Sequence, residues 1–185
     1  MKNFVFIALL SALSISTYAQ DVKFPPMDSS PADIVYYPLN VVKAKDNSIP
    51  LIKVVYSRPS KKGREIFGVL EQFGKVWRVG ANENTEIRFY KTAVIGGKKI
   101  KAGTYSLFAI PNKDKWTIII NKQIDKWGAF SYDQTKDLVR TEVNVKSLDK
   151  PLETLSVTFT TQATGANLVI GWDLSSVEVP VTIKQ

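Results

Sequence analysis

The chain has 185 residues, with 25 Lys and Arg against 17 Asp and Glu, for a net charge of +8. It contains neither histidine nor cysteine. That composition removes Ser-His-Asp and Cys-His catalysis, the usual general base near neutral pH, and the preferred ligands of zinc, copper and haem. Carboxylate, lysine or tyrosine chemistry and oxygen-ligated metals such as calcium remain open. No cofactor and no resident metal are expected.

The first segment reads as a secretory signal. Lys2 is followed by the apolar run Phe4 to Leu13, too short to span a bilayer, and then by Thr17 and Ala19 at the small-residue positions of a cleavage site. The expectation is a signal peptide over 1–19, with cleavage before Gln20, and a periplasmic or extracellular protein. With no cysteine to carry a lipid, no membrane anchor is expected. Export argues against a nucleic-acid partner, and the lysines are spread over turns (Lys98, Lys99 and Lys101; Lys113 and Lys115), so they read as a solvated rim. Residues 20–33, with Pro25, Pro26 and Pro31, read as an exposed lead-in, and residues 34–185 as one domain. The oligomeric state is not legible.

From Ile34 onward the apolar residues recur with period two. Ile52, Val54 and Tyr56 alternate with Lys53, Val55 and Ser57. REIFGVLEQF, Arg64 to Phe73, has helical spacing interrupted by Gly68. The next strands carry Thr85, Ile87 and Phe89; then Tyr105, Leu107 and Ala109; then Trp116, Ile118 and Ile120. SYDQTKDL contains room for one helical turn over 133–138. Val139 to Val145, Leu155 to Phe159, Leu168 to Leu174 and Val177 to Ile183 complete the pattern. IGGKK, IPNKDKW and TGAN supply hairpin loops, Gly96-Gly97 being the residues that tolerate the positive φ of a tight turn. Together these predict an all-β fold: a single antiparallel β-sandwich or flattened barrel with short hairpins and at most one or two short helical turns.

The densest polar motif is GKVWRVGANENTEIRF, Gly74 to Phe89. Its structural reading is an elaborate strand entry, in which Asn82 and Glu83 bond the turn backbone and Arg78 pairs with Glu83 or Glu86. Its functional reading is a pocket. Trp77 offers an aromatic platform, while Arg58, Arg78, Asn82, Glu83 and Glu86 present donors and acceptors to a small polar ligand or carbohydrate. Trp127, with Phe130 and Tyr132, stands as the opposite wall. Glu83 and Glu86 are also the residue type for carboxylate-dependent glycoside hydrolysis. Asn82, Asn84 and Glu86 alternate like oxygen ligands, but the motif lacks the aspartates that calcium favours.

The ordered set YSRPSKKGREIFG, GKVWRVGANENTEI, KAGTYSLFAIP, WTIIIN and KWGAFSYD resembles a family of exported bacterial proteins catalogued as the domain of unknown function numbered twenty-nine eleven. The resemblance runs from about Asn40 to the end of the chain. It implies an all-β exported domain and no assigned activity. The family pattern has alanine-like residues where Asn84 stands. The resulting expectation is an exported binding or structural module with a polar, aromatic pocket. A glycan hydrolase is the alternative.

Overall fold

The computed structural model describes residues 21–184. The segment read as a signal peptide, residues 1–19, and its cleavage point at Gln20 lie outside the described residues. Nine strands form: β1 (Ala32–Tyr37), β2 (Ile52–Ser57), β3 (Ala81–Phe89), β4 (Ala93–Ile95), β5 (Lys98–Ile100), β6 (Gly103–Ile110), β7 (Lys115–Asn121), β8 (Asp137–Gln162) and β9 (Gly165–Ile183). Among the described residues, two 3-10 turns, Val41–Lys43 and Gln134–Lys136, are the remaining regular elements. All pairings are antiparallel, in the order β1-β2-β3-β6-β7-β8-β9-β4-β5.

This single sheet folds over on itself because β8 and β9 are long enough to serve two layers. The first part of β8, through Asn144, pairs with β7, and from Val145 onward the strand pairs with β9. The register between β8 and β9 shifts between Ser147 and Leu152, and again between Leu152 and Ser156. Pro151, which has no N–H to give to a ladder, falls in this interruption. Opposite it, Asp173 has φ of 52°. These irregularities crease the sheet, and the period-two sequence pattern gives no hint that the strand continues through them.

The crease turns the apolar faces of both layers inward. Ile52, Val54, Ile87, Leu107, Ile118 and Ile120 from one layer meet Leu155, Leu168, Ile170, Val179 and Val181 from the other, all fully buried. Burial of such side chains contributes about 1.5–3 kcal/mol each, which is how a domain without disulfides is held together. Tight turns depend on glycine. Gly96 has φ of 54°, and a Cβ there would sit 2.6 Å from the Thr141 side chain.

A second, smaller apolar layer forms on the outside. Phe108 and Ile119, on the outward faces of β6 and β7, are also buried. The segment 122–136 covers them, and the ring of Tyr132 packs edge-on against Phe108 at 5.3 Å. The helical spacing over Arg64 to Phe73, already interrupted by Gly68, does not become a helix, and the structure has a coiled turn there. Gly68, at φ of 96°, donates its N–H to Glu71 O, and Glu71 N–H donates to Ile66 O. A positive φ at Gly68 is incompatible with a continuing right-handed helix.

The layers are tied by polar contacts as well as by packing. Tyr56 Oη donates to Asp33 Oδ2 at 3.2 Å and accepts the Val157 N–H at 3.1 Å. Arg58 Nη1 donates to the same Asp33 oxygen at 2.8 Å, and Nη2 donates to Ser156 Oγ at 2.9 Å. Burial raises the Tyr56 phenol above its ordinary pKa, with the Val157 bond opposing the shift. Tyr56→Phe should therefore orphan a buried N–H and lower unfolding free energy by about 1–3 kcal/mol. Urea denaturation, with the slope unchanged, measures that loss.

Candidate functional site

The connection from β2 to β3 runs over residues 58–80 with no helix or strand of its own, and it is ordered by what it packs on. Trp77 exchanges backbone hydrogen bonds with Ala109 of β6, which extends the sheet by one bridge. Its indole stacks on Trp172 at 6.1 Å with 19° between planes and meets Trp116 edge-on at 5.7 Å. Phe67 closes the group, 4.7 Å from Trp116 and 5.7 Å from Trp77. Such pairs add about 0.5–1.5 kcal/mol each beyond area burial. Ile66, fully buried, fixes the connection from its other end.

This packing decides where Trp77 goes. The side chain is 2 % exposed and presents no face to a ligand, so the platform expected from sequence is instead a core plug. The indole Nε1 is buried with no hydrogen-bond partner. The expected pairing of Arg78 with Glu83 or Glu86 is also not made, and Arg78 forms no ion pair with either. In β3 the side chains of Glu83 and Glu86 instead line a separate depression of about 310 Å³ with Tyr56, Ser57 and Asn84.

Arg78 faces a cavity of about 260 Å³ that lies over the crease. Lys62, Arg64, Glu71 and Arg78 line it, with Ser29 and Ser30 of the lead-in, Ser60, and an edge of Trp172. Arg64 is held in place by its own turn: Nε donates to Lys61 O at 2.9 Å and Nη2 to Ser60 O at 2.7 Å. Arg78 Nε is buried with no partner. Glu71 is the one carboxylate in this lining. Burial raises its pKa to about 7, against the opposing pull of Arg78 and then Arg64.

The other expected site residues are dispersed. Arg58 is used in the tie to Asp33 and Ser156. Asn82 takes φ of 57° and its carbonyl accepts the Gly128 N–H. Trp127 is 61 % exposed and does not line the basic cavity, although its backbone bridges to that of Glu83. It belongs to a strap, 126–130, fastened to β3 by Asn84. The Asn84 N–H donates to Lys126 O, its Oδ1 accepts the Lys126 N–H at 2.8 Å, and its Nδ2 donates to Ser106 Oγ at 2.5 Å. The strap passes close to Arg78: a Cβ on Gly128 would lie 3.6 Å from Arg78 Nη1. With its amide committed in this way, Asn84 is a structural lock and not an open oxygen ligand. Among the described residues, no group of three Asp or Glu side chains is assembled that suits a metal ion.

Sequence reasoning missed Glu71, Lys62 and the lead-in serines. Arg64 stands in the sequence only as the first residue of the helix-like REIFGVLEQF segment. A signal for them existed in SRPSKKGRE, where basic and hydroxyl residues cluster before a carboxylate seven residues beyond Arg64, but it takes the turn at Gly68 to bring Glu71 back to Arg64.

The family model described as Protein of unknown function (DUF2911) matches residues 38–181. No curated protein and no solved structure matches the chain.

The position of Glu71 has a consequence for stability. Its folded pKa, about 7, stands above the unfolded carboxylate value, so the folded state holds its proton more tightly. Its contribution is fully present below the unfolded pKa, declines as pH rises, and is lost above about 7. Glu71→Gln should leave stability at about pH 4 nearly unchanged and raise it at about pH 8. The gain should be at most about 3 kcal/mol, and less where water reaches the cavity. Urea midpoints at the two pH values check this.

Proposed function

The chain belongs to the DUF2911 family, and from that premise we propose that it is an exported binding module, which holds a small polar ligand in the cavity between the 58–80 connection and the lead-in serines. The observation that carries this reading is the unused hydrogen-bonding capacity of residues that line that space. Arg78 Nε has no partner, and Arg64 is oriented by backbone carbonyls rather than neutralised by an acid. Buried donors are ordinarily satisfied, and an unpaired one beside a cavity marks a place where an external acceptor fits. The cavity is also built on a rigid base, the stacked Trp77 and Trp172, as a binding site requires.

The carboxylate-hydrolase alternative keeps one supporting observation. Glu83 and Glu86 line one depression with Tyr56. That depression has no basic residue in its lining, and its one aromatic, Tyr56, is buried and tied to Asp33 and Val157. Binding at the cavity is therefore the preferred reading, and export from the cytoplasm remains its expected setting.

A thermal-shift screen against sugars, sugar acids and amino acids tests the reading. A ligand present at a hundredfold excess over its Kd should stabilise the wild type by about 2.7 kcal/mol. Arg78→Ala should abolish that stabilisation while costing no more than about 1 kcal/mol in the free protein, since no ion pair is broken. Trp127→Ala should retain the ligand effect. Stabilisation that survives Arg78→Ala, or is lost with Glu83→Gln instead, contradicts the assignment.

A further inference from the structure

The charges around the cavity narrow the ligand class. Lys62, Arg64 and Arg78 face it, and Glu71 is the opposing charge. On the flanking segments three further acids are engaged, while Glu65 is exposed and lies outside the lining. Asp173 pairs with Lys61 at 2.6 Å, Glu153 Oε1 accepts the Lys62 N–H at 2.8 Å, and Asp28 Oδ1 accepts the Ser30 N–H at 2.6 Å. The lead-in and β9 contribute only neutral groups to the lining: Ser29, Ser30 and Trp172. A neutral ligand would displace water from the half-buried Arg78 and leave it under-compensated beside the exposed Lys62 and Arg64, which is costly. An anionic group would offer acceptors to the Arg78 and Arg64 guanidiniums and to the serine hydroxyls, forming charge-assisted bonds.

The geometry points to a ligand bearing a carboxylate, sulfate or phosphate group, bound between Arg64, Arg78 and Lys62, whose arrival is coupled to protonation of Glu71. This rests on the reading of the cavity as a binding site. The coupling follows from placing two acids in one small space. An anion beside an ionised Glu71 meets like-charge repulsion, whereas a protonated Glu71 becomes a donor to it. Glu71 is suited to this exchange because it already takes up its proton near neutral pH, at about 7. The free site is then partly compensated by its own carboxylate, and the ligand takes over that role as Glu71 is neutralised.

Isothermal titration with glucuronate and sulfate, against glucose as the neutral counterpart, tests the inference; both acidic probes stay ionised between about pH 6 and pH 8. The acidic probes should bind about tenfold more tightly at pH 6 than at pH 8, the ratio set by a single group titrating midway. At pH 8 binding should take up about one proton, seen as a dependence of the heat on buffer ionisation enthalpy. Glu71→Gln should remove the pH dependence and keep the affinity seen at pH 6. Arg64→Gln should weaken the acidic probes by at least about tenfold through loss of a charged donor. If glucose binds as well as glucuronate and depends on Arg78, the cavity is a ligand site and the anion assignment is wrong. Acidic probes that bind with no pH dependence in the wild type overturn the coupling to Glu71. If no probe binds at either pH while a neutral ligand from a wider screen does, the anion assignment also falls; if nothing binds at all, the binding-module reading falls with it.

Discussion

The crease in β8 and β9 is the constraint on which the rest of the molecule depends. An antiparallel sheet of nine strands has two faces to cover, and here the sheet covers one face with itself. That solution needs two strands that run through both layers and a place where they bend without leaving the ladder. The register shifts around Leu152 and the left-handed Asp173 provide it. A gap lined in part by Trp172 lies beside the bend. Trp172 sits next to the bend residue, so its indole is carried to that gap and becomes the base against which Trp77 stacks.

The long connection between β2 and β3 follows from the same gap. Ile66 and Trp77 are buried and the partly buried Phe67 packs with them as one wedge, and between them the chain must loop outward and return. The loop's polar residues are consequently held at the rim of an apolar plug. Arg64 and Arg78 approach each other there although fourteen positions separate them in the chain, and Glu71 is half-buried between them. Charge placed over a packed aromatic base is poorly hydrated, which is why the Glu71 carboxyl is pushed up despite two nearby arginines. Burial outweighs attraction at this point, the reverse of the exposed Arg58–Asp33 pair, where water shares the charge.

Much of the fold was legible because period-two alternation reports one buried face, and for β2 and β3 it did so faithfully: Ile52, Val54, Tyr56, Thr85, Ile87 and Phe89 are all buried. Alternation failed where a second layer covers the outer face. Ser106 and Phe108 read as outward residues, yet the segment 122–136 lies over them. It also failed at the crease, since a bulge interrupts the pattern in the same way a loop does. The site was less legible for a related reason. Trp77, Arg78, Asn82, Glu83 and Glu86 are neighbours in sequence, but a strand entry points successive side chains to different faces. Trp77 goes to the core, Arg78 to the basic cavity, and Glu83 and Glu86 to another depression. The partners of Arg78 come from the opposite arm of a turn whose geometry depends on Gly68, and no local pattern announces them.

The central claim is that the free donor on Arg78 belongs to a site that takes an anion. Nitrogen-detected or proton-detected NMR of the arginine side chains observes that donor directly. On titration with glucuronate at about pH 6, the Nε–H resonance of Arg78 should move saturably and its exchange with water should slow, with Trp127 Nε1–H unaffected. An Arg78 resonance that stays fixed while Trp127 or the Glu83 region responds would contradict the account.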